Sequence, residues 1–233
     1  MRDRVGAFLQ KYKLMSAPAK AGLWFTICGF IQKGISFVTV PIFTRLLTTA
    51  QYGTVSVYNS WLSLVSIFCT LNLFYGGFNN GMLDYEDRRD EYVSAVQGLI
   101  TFITIAWVGV YIVVRPLWNS LFEMNTTLVL VMFAEILATA ALSLWSARER
   151  YEFKYKRLVL ITVANAFFAS LLSVFAVWLS DPSRGAEAKI ITNAIVVVLI
   201  CGSVYIYNFK KGKVFFSKDV WKGALLFNLS LIP

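Results

Sequence analysis

A chain of 233 residues that is 58% hydrophobic, with a mean hydropathy of +0.63, could not hide its apolar side chains as a soluble protein, which excludes a large aqueous domain. Its 22 Lys/Arg against 13 Asp/Glu give a net charge of +9. The basic residues cluster between long apolar runs, so the charge reads as membrane topology beside an anionic leaflet and not as a nucleic-acid surface.

In chain order, residues 1–20 are charged and lack an apolar core followed by a small-residue cleavage site. No signal peptide is expected there, and the segment reads as an amphipathic cytoplasmic N-terminus. Crossing a bilayer takes about 20 predominantly apolar helical residues. Six runs qualify: 21–47, 53–83, 93–114, 128–147, 158–179 and 190–209. With the N-terminus in the cytoplasm, 17 of the 22 Lys/Arg fall in segments 1–20, 84–92, 148–157 and 210–222. Arg45, Arg115, Arg184 and Lys189 remain on the far side, and Lys33 lies inside the first run. Positive charge of that bias stays inside. Residues 223–233 turn apolar again but are too few to cross, which predicts a fragment that holds the opening of a seventh helix.

The expected fold is all-α: a six-helix transmembrane lobe over 21–209, a basic linker at 210–222 and a truncated seventh helix at 223–233. Lipid forces helices here, because spanning segments must satisfy their own backbone hydrogen bonds and the alternation of a lipid-facing barrel is missing. Cys28, Cys69 and Cys201 all fall within spans and read as buried apolar side chains.

Within the first span Lys33 stands near the midpoint between Gly29 and Gly34, about 18 Å from the cytoplasmic boundary at 1.5 Å per residue. An ammonium at that depth costs several kcal/mol against lipid, so it should face a protein interior or a water-filled cavity. Pro41 predicts a bend. In the second span Asn72, Gly76 and Asn79 fall within roughly 60° of one another on a continuous helix, a stripe suited to hydroxyl-rich ligands or to interhelical hydrogen bonds. Glu135 in the fourth span reaches nearly the depth of Lys33. It suits either a Lys33–Glu135 pair or a site that exchanges a proton or cation. The basic, aromatic segments RERYEFKYKR and KKGKVFFSKDVWK read as surfaces lying on anionic lipid. The mixed-charge DYEDRRDEY reads as a solvated connector.

The chain has no histidine, and no Walker A loop, GxGxxG fingerprint or CxxC pair. Ser-His-Asp hydrolysis, imidazole metal sites and nucleotide-powered transport are therefore excluded for this portion, and no cofactor, metal or enzymatic activity is expected.

The stretch VPIFTRLLTTAQYGTVSVYNSW over residues 40–61 resembles the start of the bacterial polysaccharide flippases. These O-antigen and capsule repeat-unit translocases belong to the multidrug/oligosaccharidyl-lipid/polysaccharide exporter superfamily. The matching positions are Pro41, Arg45, Leu46, Leu47, Thr48, Gln51, Tyr52 and Gly53, with Gln51 where members often carry an acid. Weaker matches are GMLDYEDRRDEYVSAVQGL and RERYEFKYKRL. The resemblance implies two six-helix lobes, of which this chain is the N-terminal one, in the bacterial inner membrane. It also implies a polyprenyl-diphosphate-linked oligosaccharide as cargo, with polysaccharide polymerase and chain-length proteins as partners. On that reading Lys33 and Arg45 attract the diphosphate, Asn72 and Asn79 contact sugar, and Glu135 couples to an ion gradient while the lobes rock. The alternatives are a multidrug exporter of the same superfamily, a membrane-embedded glycosyl- or phosphotransferase, and a non-transporting assembly subunit.

Overall fold

The computed structural model describes residue 12, residues 14–75 and residues 77–229. Most of the expected amphipathic N-terminus, Gly76 and residues 230–233 of the expected seventh helix lie outside these. The described residues form nine α-helices and one 3₁₀ turn: α1 Ala17–Leu46, α2 Thr49–Thr70, α3 Gly77–Asp84, the 3₁₀ turn Glu86–Arg88, α4 Arg89–Val113, α5 Arg115–Phe122, α6 Thr126–Tyr151, α7 Tyr155–Leu179, α8 Gly185–Gly212 and α9 Lys218–Leu229. The all-α reading holds. Five helices, α1, α4 with its preceding turn, α6, α7 and α8, are long and apolar enough to cross a membrane, and the chain is a multi-pass membrane protein. Ring and branched side chains such as Phe102, Ile112, Leu160, Phe175 and Leu199 stand exposed on their outer faces, as lipid contact requires.

The second span departs from the sequence reading. The run over 53–83 is not one helix, because the chain unwinds after Thr70. Leu71 and Asn72 take left-handed φ of 46° and 51°, and Asn72 donates its amide to the Thr70 hydroxyl at 3.3 Å. Asparagine tolerates this region better than most residues, and Gly77 restarts a short helix beyond it. The stripe of Asn72, Gly76 and Asn79 assumed continuous 3.6-residue periodicity, so the break removes its premise. α2 is 22 residues long, but its Ser, Thr and Asn content keeps it below the apolarity of the other five.

α6 and α8 form the centre of the bundle, with α7 against α8 and α1 against α7. Burial follows that order: 56% of the most apolar stretch of α6 is buried, against 6% for α1. α4 is buried without interruption from Tyr92 to Thr101. Polar side chains there are paired: Asn208 donates to Gln97 at 2.8 Å, Gln97 donates to the Tyr205 carbonyl at 3.0 Å, and Thr101 meets the Tyr205 hydroxyl at 2.9 Å.

Each end of the bundle has its own fastening. At one end the turn between α1 and α2 is held by a capping box of Thr48 and Gln51. Gln51 also donates to the Pro182 carbonyl at 2.6 Å, and Lys189 lies 4.0 Å from the Phe43 ring centroid. At the other, basic end Gly98 lets the Phe215 carbonyl approach α4, and Gly212 lets α8 approach Asp90. Asp90 pairs with Arg148 and with Lys211, the latter at 3.2 Å, while Arg148 reaches Glu152 at 3.1 Å. Two sequence readings change here. DYEDRRDEY is not merely a solvated connector, since Asp90 ties α4 to α6 and α8. Nor does the fourth helix end at 147, the expected end of its run, since α6 continues to Tyr151 and the Arg148 side chain is only 9% exposed.

Candidate substrate cavity and a buried carboxylate

The unwound segment after α2 brings Phe74 and Tyr75, together with Asn79 of α3, to the wall of a cavity of about 870 Å³. Such a volume lies within the range of small-molecule sites. The opposite wall comes from α6, where Ser143, Ser146 and Arg150 recur at three- and four-residue spacing and so share one face. Phe153, with a left-handed φ of 55°, and Thr162 of α7 also line it.

The chemistry of this wall is specific. Arg150 is exposed, lies 5.6 Å from the Phe25 ring centroid, and makes no ion pair among the described residues. The Thr162 hydroxyl oxygen is buried with no hydrogen-bond partner among them. Ser143 donates to the Thr139 carbonyl at 2.9 Å and keeps its lone pairs free. An uncompensated guanidinium beside hydroxyls, an amide and aromatic rings suits an anion attached to a hydroxylated body: guanidinium binds phosphate oxygens in a fixed fork, and hydroxyls and amides replace lost hydration.

Glu135 is a separate feature. It is 4% exposed and lies at the junction of three helices. Tyr58 of α2 donates its hydroxyl to Oε2 at 2.9 Å, and Asn193 of α8 donates to Oε1 at 3.0 Å. Both partners are neutral. The expected Lys33–Glu135 pair does not form, because Glu135 faces α2 and α8 while α1 packs on α7 at the periphery. Lys33 is exposed on α1 without an ion pair among the described residues.

Of Lys33, Arg45, Asn72, Asn79 and Glu135, Asn79 alone lines the cavity. Arg45 is exposed in the last turn of α1, and Asn72 is exposed in the break. Sequence reasoning missed Ser143, Ser146, Arg150, Phe153 and Thr162. The signal was present as S-x-x-S-x-x-x-R, a helical face that continues past the apolar run, but ending the span at residue 147 left Arg150 outside the helix.

Over residues 19–232 the chain matches the family model described as "Polysaccharide biosynthesis protein". No curated protein matches the chain, and no solved structure does.

Proposed function

The chain belongs to the polysaccharide biosynthesis protein family, and we propose that its part in that biosynthesis is translocation of a polyprenyl-diphosphate-linked oligosaccharide across the bacterial cytoplasmic membrane. The observation that carries this reading is the cavity at the basic end of a membrane-spanning bundle, where Arg150, without an ion pair among the described residues, stands beside Asn79, Ser143, Ser146 and Thr162. Such a cargo has a diphosphate and many hydroxyls, and each of these groups costs several kcal/mol to bring bare into hydrocarbon. The cavity offers a cation to the first and neutral hydrogen-bonding groups to the second. In this proposal the basic end faces the cytoplasm, as the charge bias predicts, and the cavity opens to the leaflet in which the lipid-linked sugar is loaded.

In this proposal Lys33 and Arg45 belong to the open face of α1. A lysine surrounded by exposed Phe30 and Phe37 is costly against lipid, so that face meets water, cargo or protein. Glu135 is the coupling carboxylate: held by two neutral donors, it can gain or lose a proton without first breaking an ion pair. Polysaccharide polymerase and chain-length proteins would act on the product.

The test is export of surface polysaccharide in a bacterial complementation assay. Arg150→Gln should lower export by tenfold or more with unchanged protein in the membrane, and Arg150→Lys should retain part of it, because lysine keeps the charge but loses the fork. Normal export by Arg150→Gln would overturn the assignment of the cavity.

A further inference from the structure

On the other side of Phe153 lies a second pocket, of about 470 Å³. Its cations are Lys154, Lys156, Arg157 and Lys211, with Tyr155 and Tyr207 between them. Glu149 is the acid in its lining. Lys154 is engaged by Glu152, and Lys211 by Asp90. Lys156 and Arg157 are exposed and make no ion pair among the described residues; Glu149, whose carboxylate feels the charges of Lys154 and Arg157, offsets part of the positive charge and leaves the pocket net basic.

The surface beneath it is apolar. Lys156, Leu160 and Phe167 share a face of α7 at spacings of four and seven residues, and Leu160 is 70% exposed. The pocket therefore sits where α7 leaves the apolar layer, with cations at headgroup level and hydrocarbon-facing side chains below them. A free anion would use only the upper part. A ligand with a phosphate head and long apolar chains uses both.

We propose that this pocket binds the phosphate headgroup of a membrane lipid in the leaflet at the basic end. Lys156 and Arg157 contact the phosphate, and Tyr207 borders the headgroup. Two lipids supply this chemistry, an anionic phospholipid of the bilayer and a polyprenyl diphosphate. The inference rests on the membrane placement of the chain and not on translocation, so retention of lipid by a variant that cannot export would leave it standing.

Lipid retention by the full-length protein in mild detergent, followed by native mass spectrometry, tests it. Phosphatidylglycerol should be retained over phosphatidylcholine. The double variant Lys156→Gln/Arg157→Gln should weaken that retention about thirty-fold, since each basic residue near an anionic headgroup contributes about 1 kcal/mol and 1.4 kcal/mol is a factor of ten. Lys218→Gln/Lys222→Gln removes the same charge from exposed positions of the same end and should leave retention unchanged. Equal loss in both double variants would overturn the proposal, because only the overall charge would then matter. Displacement of phosphatidylglycerol by polyprenyl diphosphate, dependent on Lys156 and Arg157, would assign the pocket to the lipid-linked sugar; failure to displace would assign it to the bilayer lipid. Displacement by inorganic phosphate alone at equal concentration would overturn a lipid site. All four positions are exposed, and an unchanged elution profile in size-exclusion chromatography checks that each variant is folded.

Discussion

At the scale of single residues, two polar side chains do work that neighbouring residue types could not. Gln51 accepts from the Thr48 amide at 3.0 Å through Oε1 and donates to the Pro182 carbonyl at 2.6 Å through Nε2. A glutamate keeps the first bond and turns the second into two facing acceptors. Gln51→Glu should therefore lower stability by about 1 kcal/mol, read as a fall in melting temperature in detergent, and an unchanged melting temperature would show that the Pro182 contact contributes nothing. Glu135 is the other case. Glu135→Gln preserves the shape of the group, and Tyr58 can turn its hydroxyl to accept from the new amide, so the protein should fold. In proteoliposomes it should fail to respond to an imposed pH gradient while still binding lipid-linked sugar; a normal response would remove Glu135 from coupling. Because Lys33 and Glu135 do not meet, Lys33→Met should add to Glu135→Gln without rescuing it, as distant sites do.

At the scale of elements, the basic end is held by a clasp that runs through α4, α6, α8 and the link between α6 and α7. Burial pushes the Glu152 carboxyl up, and hydrogen bonds from Lys154 and Arg148 outweigh it, so Glu152 lies below the ordinary glutamate range. A depressed carboxylate stabilises the fold above its unfolded value, about 4.3, and that contribution is lost as the pH falls below it through the folded value. Arg148→Gln breaks both of its ion pairs. Since the Asp90 side chain is 34% exposed, the cost at neutral pH should be about 2 kcal/mol, less than for a fully buried pair. The gap in melting temperature between wild type and Arg148→Gln should narrow between pH 7 and pH 3.5. A gap of the same size at both would mean that pairing of Arg148 with Asp90 and Glu152 contributes nothing to the clasp. The break between α2 and α3 has the opposite character. It weakens a helix, yet Phe74 and Tyr75 of the unwound segment, with Asn79 beyond it, form part of the cavity wall.

At the scale of the whole molecule, orientation is the open quantity that the charge bias predicts. In a variant without its three native cysteines, all buried, an impermeant thiol reagent applied to intact cells should label Ser183→Cys and spare Lys218→Cys. Labelling of Lys218→Cys would reverse the topology. The all-α class, the membrane location and the spans of α1, α4, α6, α7 and α8 were legible in the sequence, because lipid selects for apolar length and backbone self-satisfaction, and both are properties of a continuous segment. Composition also pointed to Glu135 as a buried charge, since a carboxylate in the middle of α6 has few places to go. Its partners were not legible. Depth along a helix is a one-dimensional quantity, and it matched Glu135 to Lys33 when the azimuth of α6 turned the carboxylate to Tyr58 and Asn193. The cavity was hidden for the same reason: Arg150, Asn79 and Thr162 come from three helices, and their meeting depends on how α3, α6 and α7 rotate and pack, which no periodicity within one segment encodes.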